Sequence, residues 1–124
     1  KLTDPDMNRL IFTQEDAADL INRTIRDTQK YGGGFVKSYK MKCVNMLDLA
    51  KFISDDVEII GKRPGEKTNE DLISEREIKR TFIYDDDIHI RMEENEDFNR
   101  LKVPYNSKSA LKMDKYEMET LVYG

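Results

Sequence analysis

The chain has 124 residues, 38% of them hydrophobic and 37% charged, with a net charge of −4. That balance fits a single domain, residues 1–124, with a thin core, and is too apolar for a disordered chain. No run approaches the roughly 18–20 apolar residues of a membrane helix, no basic stripe offers phosphate neutralisation to a nucleic acid, and one cysteine, Cys43, excludes an internal disulfide.

The first residue is Lys1, and no charged-then-apolar leader follows it. With a single thiol, a reducing, cytoplasmic location is expected. Structure begins almost at once, so the sequence reads as a piece of a longer polypeptide or as a chain freed of a tag. "RLIF" (9–12) predicts a strand. Thr13 then offers an N-cap with Asp16 three residues on, opening a helix in which Ala17, Leu20, Ile21 and Ile25 share a buried face. Gly32, Gly33 and Gly34 stop it, and "GFVKSY" predicts the next strand.

Asn45 caps a second helix with Met46, Leu49, Ala50 and Ile53 on one face. The β-branched "VEIIGK" (57–62) predicts a strand, and "SERE" (74–77) a capping box opening a short helix or turn. "TFIY" and "DIHIRM" predict two strands around Asp85, Asp86 and Asp87, the second alternating Ile88, Ile90 and Met92 with His89 and Arg91. "NEDFNRLKVPYNSKSA" is loop-like, and Asp114 with Glu117 caps a last helix. There is no regular β-α-β alternation, so the fold class is α+β. The triple glycine follows a helix, which is the wrong context for a dinucleotide loop.

The charges are unevenly placed. Residues 81–100 carry seven acids against two bases, a balance of −5. The acids at 85–87 lack the spaced frame of a calcium loop and read as a solvated turn. His89 reads as a solvated or partly buried strand residue, and the methionines at 46, 92, 113 and 118 as packing residues. No Gly-x-Ser-x-Gly elbow, zinc spacing or Tyr-x-x-x-Lys pair occurs.

One stretch stands apart. In "IIGKRPGEKTNED" (59–71), Arg63 presents a fork of donors suited to phosphate oxygens. Pro64 holds it extended, Gly65 permits close backbone approach, and Glu66 offers acceptors to a vicinal diol. On spacing alone the stretch reads as a solvated turn with a surface ion pair.

"IIGKRPGEKTNEDLIS" resembles the C-terminal signature of nucleotide-sugar epimerases and dehydratases of capsular polysaccharide synthesis. These are extended short-chain dehydrogenase/reductase enzymes acting on UDP-N-acetylglucosamine. "LTDPDMNRLIFTQEDAADLI" is similar to that family's Thr-Asp-Pro-x-Met-Thr-Arg-Phe segment, and "VPYNSKSALKMDKYEM" to its Tyr-Asn-Ser tail. Three segments in the same order span nearly the whole chain. The chain departs from the pattern at Asn8 and Leu10, where the family has Thr and an aromatic, and at Thr68 and Asn69, where it often has Leu-His.

The resemblance implies that Arg63 contacts the UDP diphosphate, Glu66 the ribose hydroxyls, and Arg9 the nucleotide-sugar, with Lys67 and Met7 as further substrate contacts. It implies a small C-terminal substrate-binding region lacking the Rossmann half. The family's NAD(P) and catalytic Tyr-x-x-x-Lys would then belong to an N-terminal Rossmann domain, the partner of this segment, and the segment alone would be inactive and bind no cofactor. A homo-oligomer fits the same implication. The contrasting expectation is a small acidic interaction module, whose 81–100 segment meets a basic partner and in which Arg-Pro-Gly-Glu is only a turn.

Overall fold

The Thr13 hydroxyl accepts from the Asp16 amide while the Asp16 carboxylate accepts from the Thr13 amide, so two orphan donors are satisfied where the first long helix begins. The computed structural model describes all residues, 1–124. In order it contains β1 (Asn8–Ile11), α1 (Gln14–Tyr31), β2 (Phe35–Tyr39), β3 (Lys42–Asn45), α2 (Met46–Ile53), β4 (Asp71–Ile73), a 3-10 helix (Glu75–Arg80), β5 (Thr81–Tyr84), β6 (Asp87–Arg91), β7 (Tyr105–Asn106) and α3 (Lys115–Tyr123). The fold is α+β, as the sequence predicts. Asn45 caps α2 by accepting from the amides of Leu47 and Asp48, and Asp114 and Glu117 form the box that opens α3.

Contacts gather the chain into two compact units. One comprises Lys1–Ile11, Met41–Asp71 and Asn106–Gly124, the other Phe12–Lys40 and Leu72–Tyr105.

In the first unit β1 and β3 pair antiparallel, Arg9 opposite Val44 and Leu10 opposite Cys43. Residues 111–113 add to the other side of β3, where the Cys43 amide donates to the Leu111 carbonyl and the Met113 amide to the Cys43 carbonyl. Cys43, Val44, Met7, Met41 and Ala110 are buried here. The Cys43 thiol donates to the Ala110 carbonyl at 3.3 Å, and burial pushes its pKa up, the behaviour of a structural cysteine.

The second unit is built on a three-stranded antiparallel sheet in the order β2-β6-β5. Asp85, at φ +54°, turns β5 into β6. One sheet face is apolar: Ile88, Ile83 and Ile90 pack with Ile73, Leu101, Leu72 and Ile78. Each fully buried side chain of this kind contributes about 1.5–3 kcal/mol. The other face carries Lys37 opposite His89 and Tyr39 opposite Asp87, and α1 lies over it.

Four expectations are corrected. Residues 57–62 form no strand: the segment makes one isolated parallel bridge, Leu2 to Ile59, and Ile59 and Ile60 are exposed. β-branched composition measures fit to a half-buried pleated surface, and no sheet offers these residues one. Ile21 and Ile25 lie outside the buried face of α1, at 59% and 51% exposure, because the helix turns charged residues towards the charged face of its sheet. Met92 lies beyond the end of β6 and is exposed, so it is no packing residue. The acids at 85–87 are not uniformly solvated, since Asp87 is held in an ion-pair network.

Candidate functional site

Residues 63–66 form a β-turn in which the Glu66 amide donates to the Arg63 carbonyl at 3.1 Å. Pro64 fits the second position, and Gly65 supplies φ +80° at the third, which a side chain would strain. Glu66 closes the turn from its side chain too, its Oε2 accepting from the Arg63 amide at 3.1 Å. The guanidinium of Arg63 and the ammonium of Lys67 are exposed and make no ion pair or hydrogen bond in the chain. The turn therefore shows two free cations beside a half-buried carboxylate with one oxygen uncommitted.

The turn is held by the segment that carries the Thr-Asp-Pro resemblance. Asp4 is buried, and its carboxylate accepts from the Asp6 amide at 2.9 Å, the Thr68 hydroxyl at 3.0 Å and the Lys62 ammonium at 3.0 Å. The Asp6 amide, together with Lys62 and Thr68, holds the Asp4 carboxyl below the usual carboxylate range against the opposing effect of burial. Lys62 and Thr68 flank the turn, so one carboxylate fixes both of its ends.

Arg9 adds a second strap. Its guanidinium donates to the carbonyls of Asn8 (2.9 Å), Thr68 (3.1 Å) and Lys67 (2.8 Å), and the Asn8 amide also donates to the Thr68 carbonyl. Met7 is buried, its carbonyl accepting from the Met46 amide that opens α2. Of the five site residues named from the sequence, Arg63 and Glu66 thus belong to the turn, Lys67 follows it directly, Arg9 holds it, and Met7 packs in the interior.

The third segment joins at the same place. Ser107, from the Tyr-Asn-Ser stretch, exchanges two hydrogen bonds with Glu70: its amide donates to the Glu70 carbonyl at 3.0 Å, and its hydroxyl accepts from the Glu70 amide at 2.9 Å. The Ser107 hydroxyl also reaches Asn69 Oδ1, which accepts from Asn8 Nδ2 at 3.1 Å. Asn8 and Asn69 are two of the positions at which the sequence departs from the pattern it resembles, and they touch each other. Sequence reasoning missed Asp4, Lys62 and Thr68 as the frame of the turn; the signal available was a buried-type Asp inside the Thr-Asp-Pro motif.

A separate network occupies the second unit. The Lys37 side chain is 2% exposed, its ammonium lies 2.5 Å from Asp27 and 2.9 Å from Asp87, and Arg23 reaches both oxygens of Asp87 at 2.9 and 3.1 Å. Burial pushes the Asp87 carboxyl up, but Arg23 and Lys37 outweigh it and hold the group below its ordinary value. His89 stacks on Phe35 and meets Tyr84 edge-on, with its pKa lowered by burial and by Lys37. Tyr39 is pushed up to about 12 by burial and by Asp16. No group of three or more His, Cys, Asp or Glu residues could hold a metal ion.

Comparison with known proteins gives the wider setting. The chain is 29% identical over 134 aligned residues to a protein of Methanocaldococcus jannaschii described as an uncharacterized membrane protein, covering 98% of this chain and 39% of that one. Among solved structures it matches the X-ray structure of Pen from Bacillus thuringiensis, with a TM-score of 0.75 and 28% identity over 98% of this chain and 39% of that chain. The chain therefore spans about two fifths of the length of these relatives. No helix here is long and apolar enough to cross a membrane. Residues 1–92, which hold both the Asp4–Arg9 frame and the turn it supports, match the family described as polysaccharide biosynthesis protein, and this chain belongs to that family.

Proposed function

We propose that the chain is the substrate-binding portion of a UDP-N-acetylhexosamine 4-epimerase or 4,6-dehydratase, an extended short-chain dehydrogenase/reductase of surface polysaccharide synthesis in the cytoplasm. The observation that carries this reading is the convergence of three sequence-distant segments, around Asp4–Arg9, Lys62–Glu70 and Ser107, on one hydrogen-bonded frame beneath a turn with two unpaired cations. Arg63 would take the diphosphate through its planar fork, with Lys67 adding positive charge. The free oxygen of Glu66 would accept from the ribose hydroxyls. Arg9 and Asp4 hold the turn so that little ordering cost remains when the ligand arrives.

The reading assigns the chemistry elsewhere. Gripping the non-reacting UDP supplies remote binding energy that orients the sugar. The residues present do not fit a nicotinamide cofactor: the triple glycine runs out of α1 into β2, the reverse of a strand-loop-helix phosphate cradle. NAD(P) and the acid/base tyrosine are accordingly assigned to a Rossmann partner domain outside these 124 residues.

Titration with UDP and UDP-N-acetylglucosamine, followed by amide chemical shifts, tests the proposal. Shifts clustered at residues 62–68 that vanish in Arg63→Ala are the expected result. Silence with both ligands, alongside binding to a basic protein, would sink it in favour of an acidic interaction module.

A further inference from the structure

Beneath the turn, Asn8 Oδ1 is a buried acceptor with no hydrogen-bond partner. Such an orphan is costly, and turning the amide over does not relieve it. Asn8 Nδ2 donates to the Asp6 carbonyl at 3.2 Å, and a turned amide would set one carbonyl oxygen against another. The Asp6 carbonyl therefore fixes the Asn8 amide. Asn69 is fixed in turn. Its Oδ1 accepts from Asn8 Nδ2 at 3.1 Å and from the hydroxyl of buried Ser107 at 3.3 Å. That hydroxyl is itself oriented, because its oxygen accepts from the Glu70 amide at 2.9 Å.

With both donors on Oδ1, Asn69 Nδ2 is left without a partner in the chain, and it is not buried. The frame thus locks a neutral pair of N–H donors in one orientation. Asn69 follows Glu66 by three residues, a chain reach of at most about 10 Å. Charge says what the donors take. Glu70 and Asp71 come next, both exposed and neither in an ion pair. Two free carboxylates disfavour a phosphate here, and the phosphates have Arg63 and Lys67. A neutral donor beside them suits an uncharged carbonyl oxygen.

Given the reading of the turn as a UDP grip, on which this contact rests, we infer that Asn69 Nδ2 is a further specificity contact of the same site, donating to an uncharged carbonyl oxygen of the nucleotide-sugar. A UDP-N-acetylhexosamine offers that chemistry twice, in the uracil ring and in the N-acetyl group. The orphaned Asn8 oxygen is the cost of presenting the Asn69 donors outwards.

Asn69→Asp keeps the acceptor that Asn8 and Ser107 use and replaces only the donor. Affinities of the unaltered and variant chains are measured for UDP-N-acetylglucosamine, UDP-glucose and inorganic pyrophosphate, the last reading the effect of the added charge alone. The variant should lose about tenfold for UDP-N-acetylglucosamine, and more than it loses for pyrophosphate. The same excess loss for UDP-glucose assigns the uracil carbonyl, and an excess confined to UDP-N-acetylglucosamine assigns the N-acetyl group. Losses no greater than that for pyrophosphate overturn the contact. A measurement on the unaltered chain needs no variant to fold: the Asn69 side-chain amide signals should move on titration with UDP-N-acetylglucosamine, and those of Asn8, already committed, should move less. Asn69 signals that stay still while the ligand binds overturn the contact and leave the grip standing. A chain that binds none of the three ligands overturns the grip, and the contact with it.

Discussion

The carboxylate of Asp4 holds the Lys62 ammonium at 3.0 Å, one residue before the only arginine in the exposed turn. Since the same carboxylate accepts from Thr68 after the turn, it acts as a clasp on residues 63–67. Its folded pKa lies below its unfolded value, so the clasp is fully present above about pH 4 and is lost as pH falls through the folded pKa. Asp4→Asn keeps the shape but removes the charge. Hydrogen exchange of the Glu66 amide should quicken in this variant at neutral pH, whereas the unaltered chain should show that loosening only in acid. Equal protection in the two proteins would refute the clasp.

Lys37 is the costliest side chain to disturb. Its ammonium has left water almost completely and is compensated by Asp27 and Asp87. Lys37→Ala leaves two carboxylates close together with only Arg23 to balance them, and breaking a buried pair in this way costs about 3 kcal/mol. Lys37→Met combined with Asp27→Leu should lose less than the single change, because the pair leaves together. Urea unfolding of both variants makes the comparison, and a double variant less stable than Lys37→Ala would contradict it.

His89 gives the protein a second, separate pH dependence. Burial and Lys37 lower its pKa, while Asp27, with its oxygen 3.9 Å from Nε2, and Asp87 oppose the shift; Arg91 adds to it. The unfolded chain therefore takes up the proton first as pH falls. Stability should decline from about pH 6.5 down to the folded pKa and then level off before the carboxylates titrate. His89→Gln should flatten that step in thermal melts recorded across the window, leaving the acid limb below about pH 4 in place.

What the sequence made legible was local. Thr13 with Asp16, Asn45, and Asp114 with Glu117 are caps whose hydrogen bonds span three residues or fewer, so composition and spacing suffice to find them. Residues 57–62 misled because strand propensity cannot reveal whether a partner strand exists. Ile21 and Ile25 misled because apolar periodicity says that a face wants covering without saying by what. The turn at 63–66 was readable from Pro-Gly, but its frame joins residues about 60 positions apart, and Asp4 looks like any other acid until Lys62 and Thr68 are seen beside it.

Arg9 and Arg63 separate holding from gripping. Arg9 spends its donors on three backbone carbonyls, two of them in the turn segment, whereas Arg63 spends its side-chain donors on nothing in the chain. Arg9→Ala should therefore lower stability by about 1–3 kcal/mol and weaken UDP binding together, because the carbonyls lose charged donors. Arg63→Ala should leave the unfolding midpoint unchanged and weaken UDP binding at least about tenfold, the worth of one charge-assisted contact. Lysine at position 9 cannot reach three carbonyls at once and should behave like alanine, while lysine at 63 should retain part of the affinity as a point charge. If Arg63→Ala instead destabilised the fold as much as Arg9→Ala, the arginine would be a strut of the turn, and the diphosphate would have to be sought at Lys67.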